Sequence, residues 1–233
     1  MNKIFLLLTL LCLSLSARAH DAEVDGIFYN LDVANKTATV TFEGDYSGSY
    51  DNEYSGDVVI PETVTYGDIT YSVTSLGRFC FAGCSSLTSI TIPNSVTSLG
   101  EACFGDCSSL TSITIPNSVT SLGNGCFAYC SSLTSIYMLP STPPSTGSYI
   151  FYNAPLETVY VVDEDAKTAY QAEEPWSEYE IVVMPTGIEE VETDKTAPTI
   201  VGYHDLNGKL INDKQRGAVI VRYSDGTTRK VLK

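Results

Sequence analysis

The sequence predicts an α/β, β-rich solenoid with parallel strands on one face, an N-terminal β cap and a small C-terminal antiparallel β module. Three observations carry this. Near-copies of one 23-residue unit run end to end at 73–95, 96–118 and 119–141, the first two differing at only four positions. A unit of that length buries its apolar face only by stacking on its neighbours. Within each unit apolar residues recur as L-x-x-I-x-I: Leu87, Ile90, Ile92, then Leu110, Ile113, Ile115, then Leu133, Ile136, Met138. That period points these side chains inward from a short strand and the residues between them outward. Short alternating apolar segments also flank the repeats on both sides.

Residues 1–19 read as a secretory signal peptide: Lys3, an apolar run from Ile4, and an Ala17-Arg18-Ala19 ending. Cleavage is expected after Ala19. The run is too short to span a bilayer, and no later segment is long and apolar enough either. Cys12 follows Leu11 inside the run, where lipid attachment needs a small residue, so ordinary cleavage is expected. Residues 20–54 are the expected N-terminal cap. There GIFYNLDV and TATVTF alternate around Ala34-Asn35-Lys36 as a β-hairpin, and a Tyr- and Gly-rich loop follows.

The solenoid is expected over 55–185. VVIPETV, Val58 to Val64, resembles the strand end SITIPNSV and makes a partial first unit. The other half of each unit, LGRFCFAGCSSL in the first, reads as a short helix or helical turn with Leu76, Phe81 and Cys84 inward. Adding the period to the third strand predicts Leu156, Val159 and Val161 inward on a fourth, and adding it again predicts Tyr179, Val182 and Met184 on a fifth. Asp163 to Glu174 looks helical and stops at Pro175. Trp176 falls in phase with Cys130 and Asn153 and is expected to plug the open end.

The pattern L-G-x-x-x-F-x-x-C-S-S-L-T-S-I-x-I-P-x-S-V resembles the BspA-like leucine-rich-repeat proteins of gram-negative bacteria, over Ser55 to Pro185. Cys80, Cys103 and Cys126 stand where such repeats usually carry Ala. The resemblance implies a secreted or surface-exposed protein and a role in adhesion to host proteins or cells.

Residues 186–198, polar and acidic, read as a linker. Residues 199–233 carry hairpin signals at Asn207-Gly208 and Asp225-Gly226. This tail resembles the C-terminal sorting domains of the type IX (Por) secretion system through Tyr203, Asp205, Leu206, Gly208, Lys209, Gly226 and the basic end Lys230 to Lys233. An inserted His204 interrupts the motif, and the tail is shorter than a full sorting domain.

The chain of 233 residues has a net charge of −15, with acids concentrated on both sides of the clear repeats. An acidic body argues against nucleic acid as a partner and for solubility. Six cysteines remain after export, in C-x-x-x-C pairs at 80/84, 103/107 and 126/130. Disulfides fit an exported chain, but Cβ atoms one helical turn apart lie about 5–6 Å from each other, beyond the roughly 3.5–4.5 Å a disulfide spans. Zinc spacing and nearby histidines are missing. A ladder of buried thiols filling the core is the reading preferred. Asp51-Asn52-Glu53 and Asp163-Glu164-Asp165 lack the spaced ligands and glycine of a calcium loop, so neither a metal nor a cofactor is expected.

Nor is catalysis expected. His20 and His204, the only histidines, lie outside the repeats, and nucleophile, zinc and phosphate-loop motifs are missing. The candidate site is instead the outward face of the strands: Ser89 and Thr91, Ser112 and Thr114, Ser135 and Tyr137, Thr158 and Tyr160. Solenoids often bind through this face, and tyrosines suit sugar or peptide contacts. The function expected is a non-enzymatic, monomeric surface protein binding a protein or glycan there. The alternative is a structural or assembly spacer of the cell envelope without a soluble ligand. The near-identity of the first two strands argues against a finely differentiated recognition surface.

Overall fold

A computed structural model describes residues 20–44 and 54–185 and the backbone of strands at 200–204, 210–211, 218–223 and 228–232. The segment 1–19, Asp51-Asn52-Glu53 and the 186–198 linker lie outside the described residues.

β1 (Ala22–Val24), β2 (Ile27–Asp32) and β3 (Thr37–Thr41) form an antiparallel meander. Asp32 shapes its second turn by accepting hydrogen bonds from the backbone N and Nδ2 of Asn35, at 3.0 and 2.7 Å. Those bonds favour the ionised carboxylate and hold its pKa below the ordinary value. After β4 (Gly56–Val59), β5 (Thr63–Tyr66) and β6 (Ile69–Leu76) make a hairpin. β6 runs parallel to β3, joining the meander to the coils.

Each coil then contributes two strands. The longer ones are β7 (Leu87–Thr91), β9 (Ser112–Ile115), β11 (Ser135–Met138) and β13 (Thr158–Val161). Between them lie β8 (Ser98–Leu99), β10 (Ser121–Leu122) and β12 (Ser145–Thr146), which extend the β6 edge as a second parallel sheet. This second sheet is not visible in the sequence periodicity, because two residues are too few to show an alternation. Helix α1 (Glu164–Gln171) and β14 (Glu180–Val183) close the series, with β14 parallel to β13. Asp163 is the N-cap of α1 and accepts from Ala166 N at 2.8 Å, which gives that acidic cluster a structural role. The described strands β15 (Ile200–His204), β16 (Leu210–Ile211), β17 (Ala218–Tyr223) and β18 (Thr228–Leu232) pair antiparallel in the order β16-β15-β17-β18.

The expected helical turn at LGRFCFAGCSSL is not a helix. Phe79 and Gly83 sit at φ 59° and 71°, and the equivalent pairs Ala102/Asp106, Gly125/Tyr129 and Tyr149/Asn153 repeat this left-handed geometry. A left-handed residue stops helix propagation. The freed N–H groups instead bond to the next layer: Phe79 N to Glu101 O at 2.9 Å, Phe81 N to Cys103 O at 2.9 Å, Gly83 N to Gly105 O at 2.8 Å.

Leu76, Phe81 and Cys84 do point inward, each at most 1% exposed. Phe81, Phe104, Phe127 and Phe151 stack layer on layer at centroid distances of 5.2, 5.5 and 5.6 Å. Tyr54 packs on Phe81 at one end, and buried Trp176 meets Phe151 edge-on at the other. Tyr170 packs against Trp176, and its hydroxyl donates to Pro140 O at 3.2 Å.

The constant 23-residue phase fails at two places. The rebuilt turn after Ser141 carries one extra residue, so Phe127 N bonds to Ile150 O and Phe151 takes the ring slot. Ala154, not Asn153, thus falls in the Cys130 slot. The last coil is one residue shorter: Val159 pairs with Ile181 and Val161 with Val183. Ile181 is therefore buried where Val182 was expected inward, and Val182 lies in register with outward Tyr160. A one-residue change reverses facing along a strand, although Met184, just past β14, is buried as expected; α1 and the 3-10 turn at Trp176–Glu178 set the length.

Candidate functional site

The outward residues of β9, β11 and β13 come into register, whereas Ser89 and Thr91 on β7 pair with β4 instead. Ser112, Ser135 and Thr158 align in one row, and Thr114, Tyr137 and Tyr160 in the next. The tyrosine rings stack 4.7 Å apart at 11°. Each ring therefore covers one face of the other, and Thr114 is the neighbour of Tyr137 on the opposite side.

The strand side is not one continuous sheet. β9, β11, β13 and β14 form one ladder, β4 and β7 another, and among the described residues no ladder joins β7 to β9. A groove of about 530 Å³ lies there. Ser89, Thr91, Ser112, Thr114 and Tyr137 line it. Ser135, Thr158 and Tyr160 do not, although Tyr160 supports Tyr137 from behind. The groove thus presents hydroxyls and one aromatic wall beside the Asp57 carboxylate and apolar side chains such as Val59 and Leu139.

Sequence reasoning missed the opposite bank. Asp57 and Val59 on β4 lie in register with Ser89 and Thr91. The Asp57 carboxylate accepts from Thr88 Oγ1 at 3.1 Å, and Val59 is 63% exposed. The signal was available: aligning VVIP with ITIP puts Asp57 and Val59 at outward positions. Val182 and Glu180 at the far end were missed because they depend on the shortened last coil.

All six described cysteines are buried and outside any disulfide. They form two ladders along the core rather than pairs within a turn. Cys80 Sγ and Cys103 Sγ lie 3.4 Å apart. Cys107 donates to Phe81 O at 3.0 Å and Cys130 to Phe104 O at 2.9 Å, satisfying turn carbonyls of the preceding layer. Burial pushes the thiols of Cys80, Cys103 and Cys126 above their ordinary pKa, so they resist becoming nucleophiles or metal ligands. Among the described residues no group of three or more His, Cys, Asp or Glu is placed to hold a metal.

Residues 60–172 match, in six copies, the family described as BspA type Leucine rich repeat region. Among solved structures, a leucine-rich repeat protein from Bacteroides ovatus aligns with 30% identity and a TM-score of 0.53, over 71% of this chain and 42% of its own. This chain therefore spans less than half the length of that relative. A leucine-rich repeat protein from Bacteroides capillosus aligns with 26% identity and a TM-score of 0.50, over 63% of this chain and 99% of its own. No curated protein matches the chain.

Proposed function

We propose, from the premise that residues 60–172 form a BspA-type leucine-rich-repeat region, that this is an exported, non-enzymatic cell-surface protein. It binds an extended protein or glycan segment through the strand side of the solenoid. The observation that carries the reading is the groove between β7 and β9, lined by Ser89, Thr91, Ser112 and Thr114 and walled by Tyr137. Neutral hydroxyls beside an aromatic ring suit the polar edges and apolar faces of sugars, or the backbone of an extended peptide. The break in the ladder gives two near-identical repeats a differentiated surface, which strand identity alone does not.

Export is supported by the leader-like residues 1–19. We take 20–54 as a cap, 55–185 as the solenoid, 186–198 as a linker and 199–233 as a sorting-like module. Intact-mass measurement of protein from cells and from medium tests this division. A mature N-terminus at His20, with loss of the tail on release, is the outcome expected.

The site itself is tested on glycan arrays and immobilised matrix proteins with Tyr137→Ala and Tyr160→Ala. Removing the aromatic wall is expected to weaken binding about tenfold or more, the loss of one well-packed aromatic anchor. Binding that survives both substitutions removes the strand face as the site.

A further inference from the structure

The solenoid side away from the strand groove carries an aromatic cluster that the proposed function does not use. Among the described residues, large apolar side chains are conspicuously exposed at Val33, Val59, Tyr66, Tyr129, Tyr149 and Tyr152. Half of these are one contiguous group. Tyr149 and Tyr129 pack edge-on against Tyr152 at centroid distances of 5.9 and 5.5 Å, yet remain 77%, 52% and 50% exposed in the order Tyr149, Tyr129, Tyr152. Scattered exposed apolar residues need no explanation, but a contiguous set on a folded surface marks an interaction site.

The left-handed backbone at Tyr129 and Tyr149, φ 62° and 58°, belongs to every layer: the same slots hold Gly83 and Asp106, and Phe79, Ala102 and Gly125. What sets these layers apart is the exposed tyrosine side chains themselves.

The charges around the cluster select the ligand. Grooves of about 520 and 500 Å³ flank it, and both are lined by Tyr149 and Ser148. Glu101 and Asp106 line the first groove, Glu174 and Glu178 the second, and neither is lined by Lys or Arg. Of these four acids only Glu101 has a salt bridge among the described residues, to the exposed Arg78 at 3.2 Å. An anionic glycan is repelled by this rim, and a neutral one uses the carboxylates only as hydrogen-bond acceptors and not their charge. Guanidinium groups satisfy both features at once, because they stack flat on tyrosine and fork onto carboxylate.

We propose that Tyr129, Tyr149 and Tyr152, with their rim of Glu101, Asp106, Glu174 and Glu178, form a second docking surface that takes an arginine-bearing peptide segment of another protein. It lies apart from the strand groove and is independent of what binds there.

The probe is a fluorescently labelled peptide of alternating Arg and Gly, titrated with the full chain at physiological ionic strength. Tyr149→Asn combined with Tyr152→Ser leaves the charge unchanged, and Asn tolerates a left-handed backbone. This double variant is expected to bind about five- to thirty-fold more weakly, the loss of two exposed cation–π contacts. Glu174→Gln with Glu178→Gln, both exposed, is expected to weaken binding about threefold or more with folding untouched. Glu23→Gln with Asp25→Asn removes the same charge elsewhere and is expected to leave binding unchanged. Parent-like affinity in a folded double tyrosine variant overturns the proposal, since attraction to an acidic chain alone would then explain the binding. An equal loss in the Glu23/Asp25 control overturns it on the same ground. Self-association of the chain that the peptide competes away would replace the foreign segment with a second copy's basic tail.

Discussion

The phenylalanine stack makes the strongest energetic demand, and Phe104→Ala tests it. Phe104 is 0% exposed, with Phe81 and Phe127 parallel to its two faces at 5.2 and 5.5 Å. The layers cannot close over the void, because Phe81 N–Cys103 O at 2.9 Å and Phe104 N–Cys126 O at 2.8 Å fix their separation. Truncating a buried phenylalanine costs about 3–5 kcal/mol. Two stacked partners, each pair contributing about 0.5–1.5 kcal/mol beyond area, place this site in the upper half of that range. Against a total stability of about 5–15 kcal/mol, the loss is about a quarter or more. For a domain of this size it lowers Tm by about 8–20 °C. Urea titration followed by far-UV circular dichroism measures it, with Phe104→Leu expected to retain more than half the lost stability. If Phe104→Ala lies within about 0.5 kcal/mol of the parent, as a surface substitution does, the stack is not the core and the layer spacing is wrong.

Two further outcomes follow from the same layers. A Cβ on Gly100 would lie 2.6 Å from Arg78 N and from Gly77 C, so Gly100→Ala forces two coils apart. It is expected to destabilise by about 1–3 kcal/mol as overpacking, read by the same urea titration; a neutral or stabilising result refutes the contact. Cys103→Ala removes only a buried thiol and is expected to cost under about 1.5 kcal/mol, whereas loss of a disulfide costs about 2–5 kcal/mol. Because burial raises the Cys103 and Cys80 thiols above the ordinary 9.0, the fold holds their protons more tightly than the unfolded chain does. Their contribution to stability is therefore complete below pH 9.0 and is lost as pH rises above it. A pH series of unfolding curves together with alkylation of the native protein checks this, and rapid native labelling near neutral pH would contradict it.

Much of the architecture is legible in the chain itself. The L-x-x-I-x-I spacing sets the inward residues, and the recurrence of Phe81, Phe104 and Phe127 sets the stack. The outward hydroxyl row and the buried Trp176 follow from the same period, and α1 from its stop before Pro175. The candidate site is legible only as a row. Its shape depends on the missing ladder between β7 and β9, and those two strands belong to nearly identical repeats. The difference must come from what lies beside them: β4 holds β7 on one side and β11 holds β9 on the other.

The helical reading of LGRFCFAGCSSL failed because the apolar positions Leu76, Phe81 and Cys84 do not reveal left-handed residues at Phe79 and Gly83. Only the stacked neighbour supplies the carbonyls that make such a turn satisfied. Nor does a repeat period reveal that one turn gains a residue and the last coil loses one, which puts Ile181 in the core in place of Val182.

What the sequence determined by itself was the stacking unit, since a 23-residue repeat with three inward positions has no other way to bury them. What tertiary structure decided was which surfaces differ from layer to layer. Local backbone geometry repeats with the sequence, but a groove or an exposed tyrosine cluster arises where neighbouring layers fail to match.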